Sequence, residues 1–164
     1  TGVVFSEAAS CDIYVGIHRL TDREQEPLYL VPQALCVGIG CRKGASREQI
    51  DALFEKVMEQ NCIWHEAIEM VCSIDLKKEE PGLLDFCAEH FWKLKTYDAE
   101  TLRNLKGVFT ASAFVKQVTG VDNVCERSAK KGSGNGEIRI PKTAQNGVTI
   151  AVAMKTVEIS FKSR

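Results

Sequence analysis

No apolar run in this 164-residue chain approaches the roughly 20 residues that a membrane-spanning helix requires, so no membrane partner is expected. Neither charge is in excess: 21 Lys and Arg stand against 22 Asp and Glu, a net charge of -1. Nucleic acid would therefore find no electrostatic footprint, and nucleic-acid binding is not expected. A basic, apolar signal-peptide opening is missing, and the chain starts at Thr1 rather than Met; its first residues read as the tail of something longer. The seven cysteines are odd in number and irregularly spaced, which excludes a simple disulfide framework. Reduced, mostly buried thiols in a cytoplasmic protein are expected instead. Structural zinc lacks its signature as well. Cys62-Ile-Trp-His65 and Cys87-Ala-Glu-His90 each supply one cysteine and one histidine, not a paired cysteine knuckle, so no metal site is expected.

What is present is the composition of one globular domain, 45% hydrophobic and 26% charged, on a chain long enough for a proper core. Asp12–His18 and Leu28–Val31 are β-rich, separated by the turn-forming and charged stretch Thr21–Pro27. Ala34–Ile39 is a continuous apolar run of the kind found in a strand buried on both faces. Ser46 then opens a helix. Gln49 three residues on completes a capping box, and Ile50, Leu53, Phe54, Val57 and Met58 form one apolar stripe, with Asn61 expected to close the helix in the left-handed conformation.

Ile68, Met70, Cys72 and Ile74 alternate as a strand. A second helix starting near Pro81 is expected to bury Leu83, Leu84, Cys87 and Phe91. Trp92–Tyr97 reads as a strand, and Asp98 as the cap of a short helix carrying Leu102 and Leu105. A helix capped by Ser112 and closed by Gly120, and another from about Asn123 to Lys130, lead into the flexible stretch Gly132–Gly136. Glu137–Pro141 and Val148–Ala153 then form a hairpin around Asn146-Gly147. The fold class expected is α/β: three layers, α/β/α, on a mixed sheet of about five strands with a C-terminal hairpin. In such sheets the ligand crevice lies beyond the carboxyl ends of the parallel strands.

Two loops at that edge carry the candidate chemistry. Gly38, Gly40, Cys41, Arg42 and Lys43 lie between a strand and a well-capped helix, where glycines admit close approach, free amides attract an anion and two cations add charge. A tight structural turn is the plain alternative. Cys41, beside those cations near a helix start, is placed where a thiol pKa falls. In the second loop Asp75, Lys77 and Glu80 bring acids and a base together, able to position water or hold a carboxylate. A solvated charge run is the alternative there. Thr110, Ser112 and Glu126 complete the set from later loops and helices, with Ser112 most simply a cap.

Four stretches in series, Val37–Gly44, Ser73–Leu83, Phe109–Ala129 and Gly147–Ala153, resemble the CbiG/CobE family of cobalamin-biosynthesis proteins. Within the third, Thr110-Ala-Ser-Ala-Phe-Val115 and Val118-Thr-Gly-Val-Asp-Asn-Val-Cys-Glu126 are similar to the family's Ser-x-Phe-Val and Thr-Gly-Val-x-x-Val-x-Glu patterns. Arg127-Ser-Ala-Lys130 departs from the alanine-rich helix often found after the glutamate. The resemblance implies that residues 1–33 are the tail of a preceding region or a linker, and residues 34–164 a domain of the CbiG C-terminal type. It further implies the anaerobic route to vitamin B12. There full-length members act as cobalt-precorrin-5A hydrolase, opening a ring-A lactone with loss of acetaldehyde.

On that reading the partners are a cobalt-precorrin or corrinoid intermediate and the N-terminal region of the same protein. The cobalt is carried by the substrate, so no cofactor is implied. Glu80 or Glu126 is the candidate base, with Lys77 and the Gly40–Arg42 amides as electrophilic support. The competing implication is a non-catalytic precorrin-binding or carrier module. Nucleotide binding through the glycine loop is a third.

Overall fold

The computed structural model describes residues 11–21, 25–110, 117 and 119–158. Strands β1 (Ile13–Val15) and β2 (Leu28–Leu30) come first, then β3 (Leu35–Cys41), α1 (Arg47–Gln60), β4 (Ile68–Ile74), α2 (Pro81–Glu89) and β5 (Lys93–Tyr97). A short α3 (Ala99–Arg103), α4 (Val124–Gly132), β6 (Glu137–Gln145) and β7 (Val148–Met154) follow. The main sheet has the order β5-β4-β3-β7-β6, with β3, β4 and β5 mutually parallel and the β6–β7 hairpin antiparallel beside β3. The expected mixed five-stranded α/β sheet with a terminal hairpin is what forms. β1 and β2 make a separate parallel ribbon.

Residue size alternates along the two central strands, and that alternation sets the distance of each helical layer. On β3, Leu35, Val37 and Ile39 enter the main core with Val148, Ile150 and Val152 of β7. They meet Ile50, Leu53, Phe54, Val57 and Met58 of α1 and Leu83 and Phe86 of α2, all buried. The opposite face presents Cys36, Gly38 and Gly40, with Ala151 and Ala153 beside them on β7. α4 lies directly on this shallow face. A Cβ on Gly38 would stand 1.9 Å from the Cys125 carbonyl oxygen, and one on Gly132 would stand 2.3 Å from the Cys72 sulfur. The Ser128 hydroxyl donates to the Cys72 carbonyl at 3.3 Å, so even the polar group in this layer is satisfied.

The helix ends have a common cause. α1 begins with the expected capping box: Gln49 N–H donates to Ser46 Oγ at 3.3 Å and Ser46 N–H to Gln49 Oε1 at 3.1 Å. At its other end the left-handed residue is Cys62 (φ 51°), not Asn61 (φ -105°). Ile63 N–H returns to the Met58 carbonyl and Cys62 N–H to that of Glu59, a Schellman closure. α2 ends in the same way at Phe91 (φ 57°), and α4 at Gly134 (φ 70°).

Three expectations are corrected here. Leu84 and Phe91 are exposed and Phe86 is buried instead, because the buried stripe of α2 runs through Leu83, Phe86 and Cys87. β3 continues past Ile39 to Cys41, since its ladder with β7 extends to the Cys41–Val148 pair. β6 likewise runs beyond Pro141 to Gln145, which an edge strand with an irregular register tolerates. The expected helix after Ser112 lies largely outside the described residues.

Candidate functional site

At the carboxyl end of β3 the chain turns into α1. The first residues after the strand are held from two sides. Arg42 N–H donates to the Gly147 carbonyl at 2.9 Å, tying the turn to the β6–β7 hairpin. Gly44, at φ 76°, donates its N–H to Glu80 Oε1 at 2.7 Å. The other Glu80 oxygen accepts from Lys77 Nζ at 2.8 Å. Asp75–Lys77 forms one 3-10 turn after β4, and Glu80 stands at the N-cap position of α2 with its side chain turned to Gly44 and Lys77 instead of the helix amides.

Glu80 is only 8% exposed, and the Lys77 ammonium, helped by the Gly44 amide and Lys43, holds its carboxyl below the usual range against the opposing effect of burial. The result is an ionised carboxylate whose two oxygens are both engaged. It joins the loop after β3 to the loop after β4, and leaves Arg42, Lys43 and Asp75 exposed on the rim.

A second carboxylate is buried between α4 and the strand edge. Glu126, 3% exposed, accepts from Thr110 N–H at 2.8 Å, Thr110 Oγ1 at 2.9 Å and Lys142 N–H at 2.7 Å. Asn123, the cap of α4, takes the Glu126 N–H at 2.9 Å and gives its own amide to the Thr110 carbonyl at 2.8 Å. Thr110 is thus gripped at its N–H, hydroxyl and carbonyl.

The approach to Thr110 is fixed by Arg127. Its guanidinium pairs with Asp122 at 2.8 Å, donates to the carbonyls of Leu102, Arg103 and Leu105, and stacks 4.2 Å over the Phe109 ring. The departure noted at Arg127 is therefore the residue that closes α3 and orders the following loop. Among the described residues no hydrogen bond or ion pair joins Glu80 to Glu126.

The sequence-predicted site residues therefore fall into groups. Lys77 and Glu80 meet, as do Thr110 and Glu126; Arg42, Lys43 and Asp75 sit on the exposed rim. Ser112 lies outside the described residues. Gly38 is not in the loop at all: it is buried within β3 with α4 filling the space above it, so it cannot bring backbone to a ligand. Gly40 is at the end of the same strand, with Thr149 Oγ1 2.7 Å from where its Cβ would be. Cys41 reverses its expectation. Burial pushes its thiol up to about 11, Glu80 adds to this, and Lys77 only partly opposes it, so the group is a neutral thiol. Glu126, the other candidate base, is a buried hub whose oxygens accept from three donors. Asn123, Arg127 and Lys142 were missed. The Asn-x-x-Glu spacing of a cap and its third residue was the signal available for the first.

Among the described residues no helix is long and apolar enough to cross a membrane. Among the described residues Cys36, Cys41, Cys62, Cys72, Cys87 and Cys125 are free thiols, four of them buried.

A family model described as "Cobalamin synthesis G C-terminus" matches residues 35–153. A curated relative from Priestia megaterium, named Cobalt-precorrin-5A hydrolase, is 29% identical over 153 residues, covering 90% of this chain and 41% of its own length. The crystal structure of CobE, a protein from the cobalamin (vitamin B12) biosynthetic pathway, aligns with a TM-score of 0.70 at 26% identity over 77% of this chain and 93% of that one. A structure from Sulfolobus solfataricus, described as a cobalamin biosynthesis protein G homolog, shares the fold with a TM-score of 0.64 at 24% identity, over 94% of this chain and 48% of that one. The chain spans less than half the length of these longer relatives. With the match running from the first residue of β3 to the end of the hairpin, the chain belongs to the cobalamin synthesis G C-terminus family.

Proposed function

We propose that this chain forms the substrate-holding C-terminal part of a cobalt-precorrin-5A hydrolase in the anaerobic route to vitamin B12. The observation that carries the reading is the clamped loop after β3: Glu80 fixes its backbone from below while Arg42 and Lys43 remain exposed above. Family membership and the activity named for the Priestia megaterium relative support it. A precorrin carries many acetate and propionate groups around its ring, and a rigid loop bearing two cations suits them, the guanidinium in a bidentate pair. Cobalt enters as part of the substrate, so these residues need recognise only the periphery of the macrocycle. Free thiols at Cys36, Cys41, Cys62, Cys72, Cys87 and Cys125 fit a cytoplasmic setting.

In the reaction, water adds to the ring-A lactone carbonyl and the acyl C–O bond breaks, leaving a carboxylate and an alcohol. The C–C bond joining that alcohol carbon to the macrocycle then breaks: the hydroxyl proton leaves, its oxygen becomes the carbonyl of acetaldehyde, and the bonding pair passes to the ring. The step needs a base for the water and donors for the oxygen that becomes negative. Glu80 is committed to Lys77 and Gly44, and Glu126 to Thr110 and Lys142, so both act in this reading as positioning residues that hold their loops. The same saturation favours a second reading, in which the chain only binds the corrinoid and the groups that activate water lie in the preceding region.

Titration with a cobalt-corrinoid bearing free carboxylates tests the proposal. Arg42→Ala and Lys43→Ala should each weaken binding by about tenfold, the worth of one charge-assisted contact, with an unchanged melting temperature. Wild-type affinity in both variants would refute it. Lactone opening by the 164-residue chain alone would overturn the binding-only reading.

A further inference from the structure

The ribbon of β1 and β2 is two-sided in a way the rest of the domain does not explain. Its strands are parallel and in register, Ile13 with Leu28, Tyr14 with Tyr29 and Val15 with Leu30. The central pair faces the domain: Tyr29 packs edge-on to Tyr14 at 5.9 Å and to Trp64 at 5.2 Å. The chain just after β1 is stitched to the turn between α1 and β4. Trp64 N–H donates to the Ile17 carbonyl at 3.0 Å, Ile17 is buried in the main core, and the Arg19 guanidinium lies 4.5 Å over the Trp64 ring. The ribbon is thereby fixed in place.

The outer face carries the other two register pairs, all aliphatic. Ile13 is 53% exposed, Val15 38%, Leu28 61% and Leu30 49%. A two-stranded sheet needs a third strand or a packed face to be stable in water, and this one presents its apolar side outward.

What covers it follows from how far the relatives extend. The solved structure of domain length, CobE, is itself 93% covered yet accounts for only 77% of this chain. The Sulfolobus solfataricus structure accounts for 94% of this chain while using 48% of its own length. A match leaving out 6% of the chain must reach into residues 1–33, whereas one that leaves out 23% can stop at the start of β3. The ribbon thus accompanies long chains, and the family model that begins at residue 35 excludes it.

We infer that the aliphatic face of Ile13, Val15, Leu28 and Leu30 is the docking surface for the region that precedes this domain in the longer members of the family. The occupant presents an apolar sheet or helix face to these four side chains. The inference rests on the reading that such a region belongs to this protein. The surface lies beside the turn between α1 and β4, which leads into the amino end of β4, whereas Arg42 and Glu80 follow the carboxyl ends of β3 and β4. Docking here anchors the preceding region without covering the cationic loop.

Carbene footprinting of the full gene product beside the 164-residue chain is the test. Labelling of Ile13, Val15, Leu28 and Leu30 should fall several-fold in the full product, with exposed Phe91, just past the end of α2, labelled equally in both. Leu28→Lys with Leu30→Lys should restore the labelling of Ile13 and Val15 in the full product. Equal labelling in both proteins overturns the inference while leaving corrinoid binding at Arg42, and so the proposed function, intact. A gene product that begins at Thr1 also overturns it. So does protection of the four residues in the 164-residue chain through concentration-dependent dimerisation, which would make a second copy the occupant. Loss of corrinoid binding with protection retained would count against the proposed function alone.

Discussion

Glu126 holds Thr110, sixteen positions earlier in the chain, twice, taking its backbone N–H at 2.8 Å and its hydroxyl at 2.9 Å. The contact bridges the loop that follows α3 and the first turn of α4. A buried carboxylate can do this only because every donor facing it is accounted for, the third being Lys142 N–H.

Glu126→Gln should therefore destabilise the domain by about 2 kcal/mol, because the new amide directs hydrogen toward a donor that then goes unmet. Thr110→Val should cost about 1 kcal/mol, since only the hydroxyl bond is lost. Urea denaturation of both single variants and the double variant should show them to be non-additive. Additive losses would mean the two residues act independently.

Glu80 should make stability depend on acid. Its folded pKa lies below its unfolded value, so its contribution is fully present above the ordinary carboxylate value of about 4.3 and is lost as pH falls through the lower, folded value. Wild-type melting temperature should decline over that range, and Glu80→Gln should flatten this part of the acid limb. Lys77→Met, which leaves the buried carboxylate without its cation, should cost about 3 kcal/mol at neutral pH.

Gly38 within β3 and Gly44 in the loop after it should differ sharply. Gly38→Ala puts a methyl 1.9 Å from the Cys125 carbonyl oxygen and 2.8 Å from the Ala129 nitrogen, both main-chain atoms of α4. The helix must leave the sheet, and the variant should be insoluble or lose at least about 3 kcal/mol. Gly44→Ala meets nothing within 4 Å and pays only for its left-handed backbone, about 1 kcal/mol. Soluble yield and denaturant midpoints would rank them.

Cys41 should be a poor nucleophile despite its cationic neighbours. With its thiol near 11, iodoacetamide at pH about 8 finds a thiolate fraction on the order of a thousandth. Mass-spectrometric mapping should show exposed Cys62 alkylated first, and Cys41 labelled only as pH rises toward that value. Rapid labelling of Cys41 near neutral pH would place it in a more open setting.

Local rules reached far into this fold. Ser46 with Gln49 announced the start of α1, the Ile50-to-Met58 stripe its buried face, Asn146-Gly147 the hairpin turn, and Asp98 the cap of α3. Each depends on residues within a turn or two, where backbone geometry and side-chain reach are set by nearby sequence. The pairing of Lys77 with Glu80 was legible for the same reason, being one helical turn apart. Ambiguity began where apolar residues compete for one stripe, as with Phe86 against Leu84 in α2 and Phe91 just beyond it.

By itself, then, the sequence determined the order of strands and helices, the burial of the Ala34–Ile39 run, the family, and which loops carry the charged candidates. Tertiary structure alone decided what those candidates touch. Gly38 looked like a ligand-approach glycine until α4, arriving from nearly ninety residues away, occupied the space above it. Cys41 had neighbouring cations in sequence, but desolvation by the packed sheet outweighs them. Glu126 became the keystone of the Thr110 loop because β6 brings the Lys142 N–H to it from across the sheet edge. Burial and long-range pairing depend on the whole chain closing on itself, and no window of local sequence contains them.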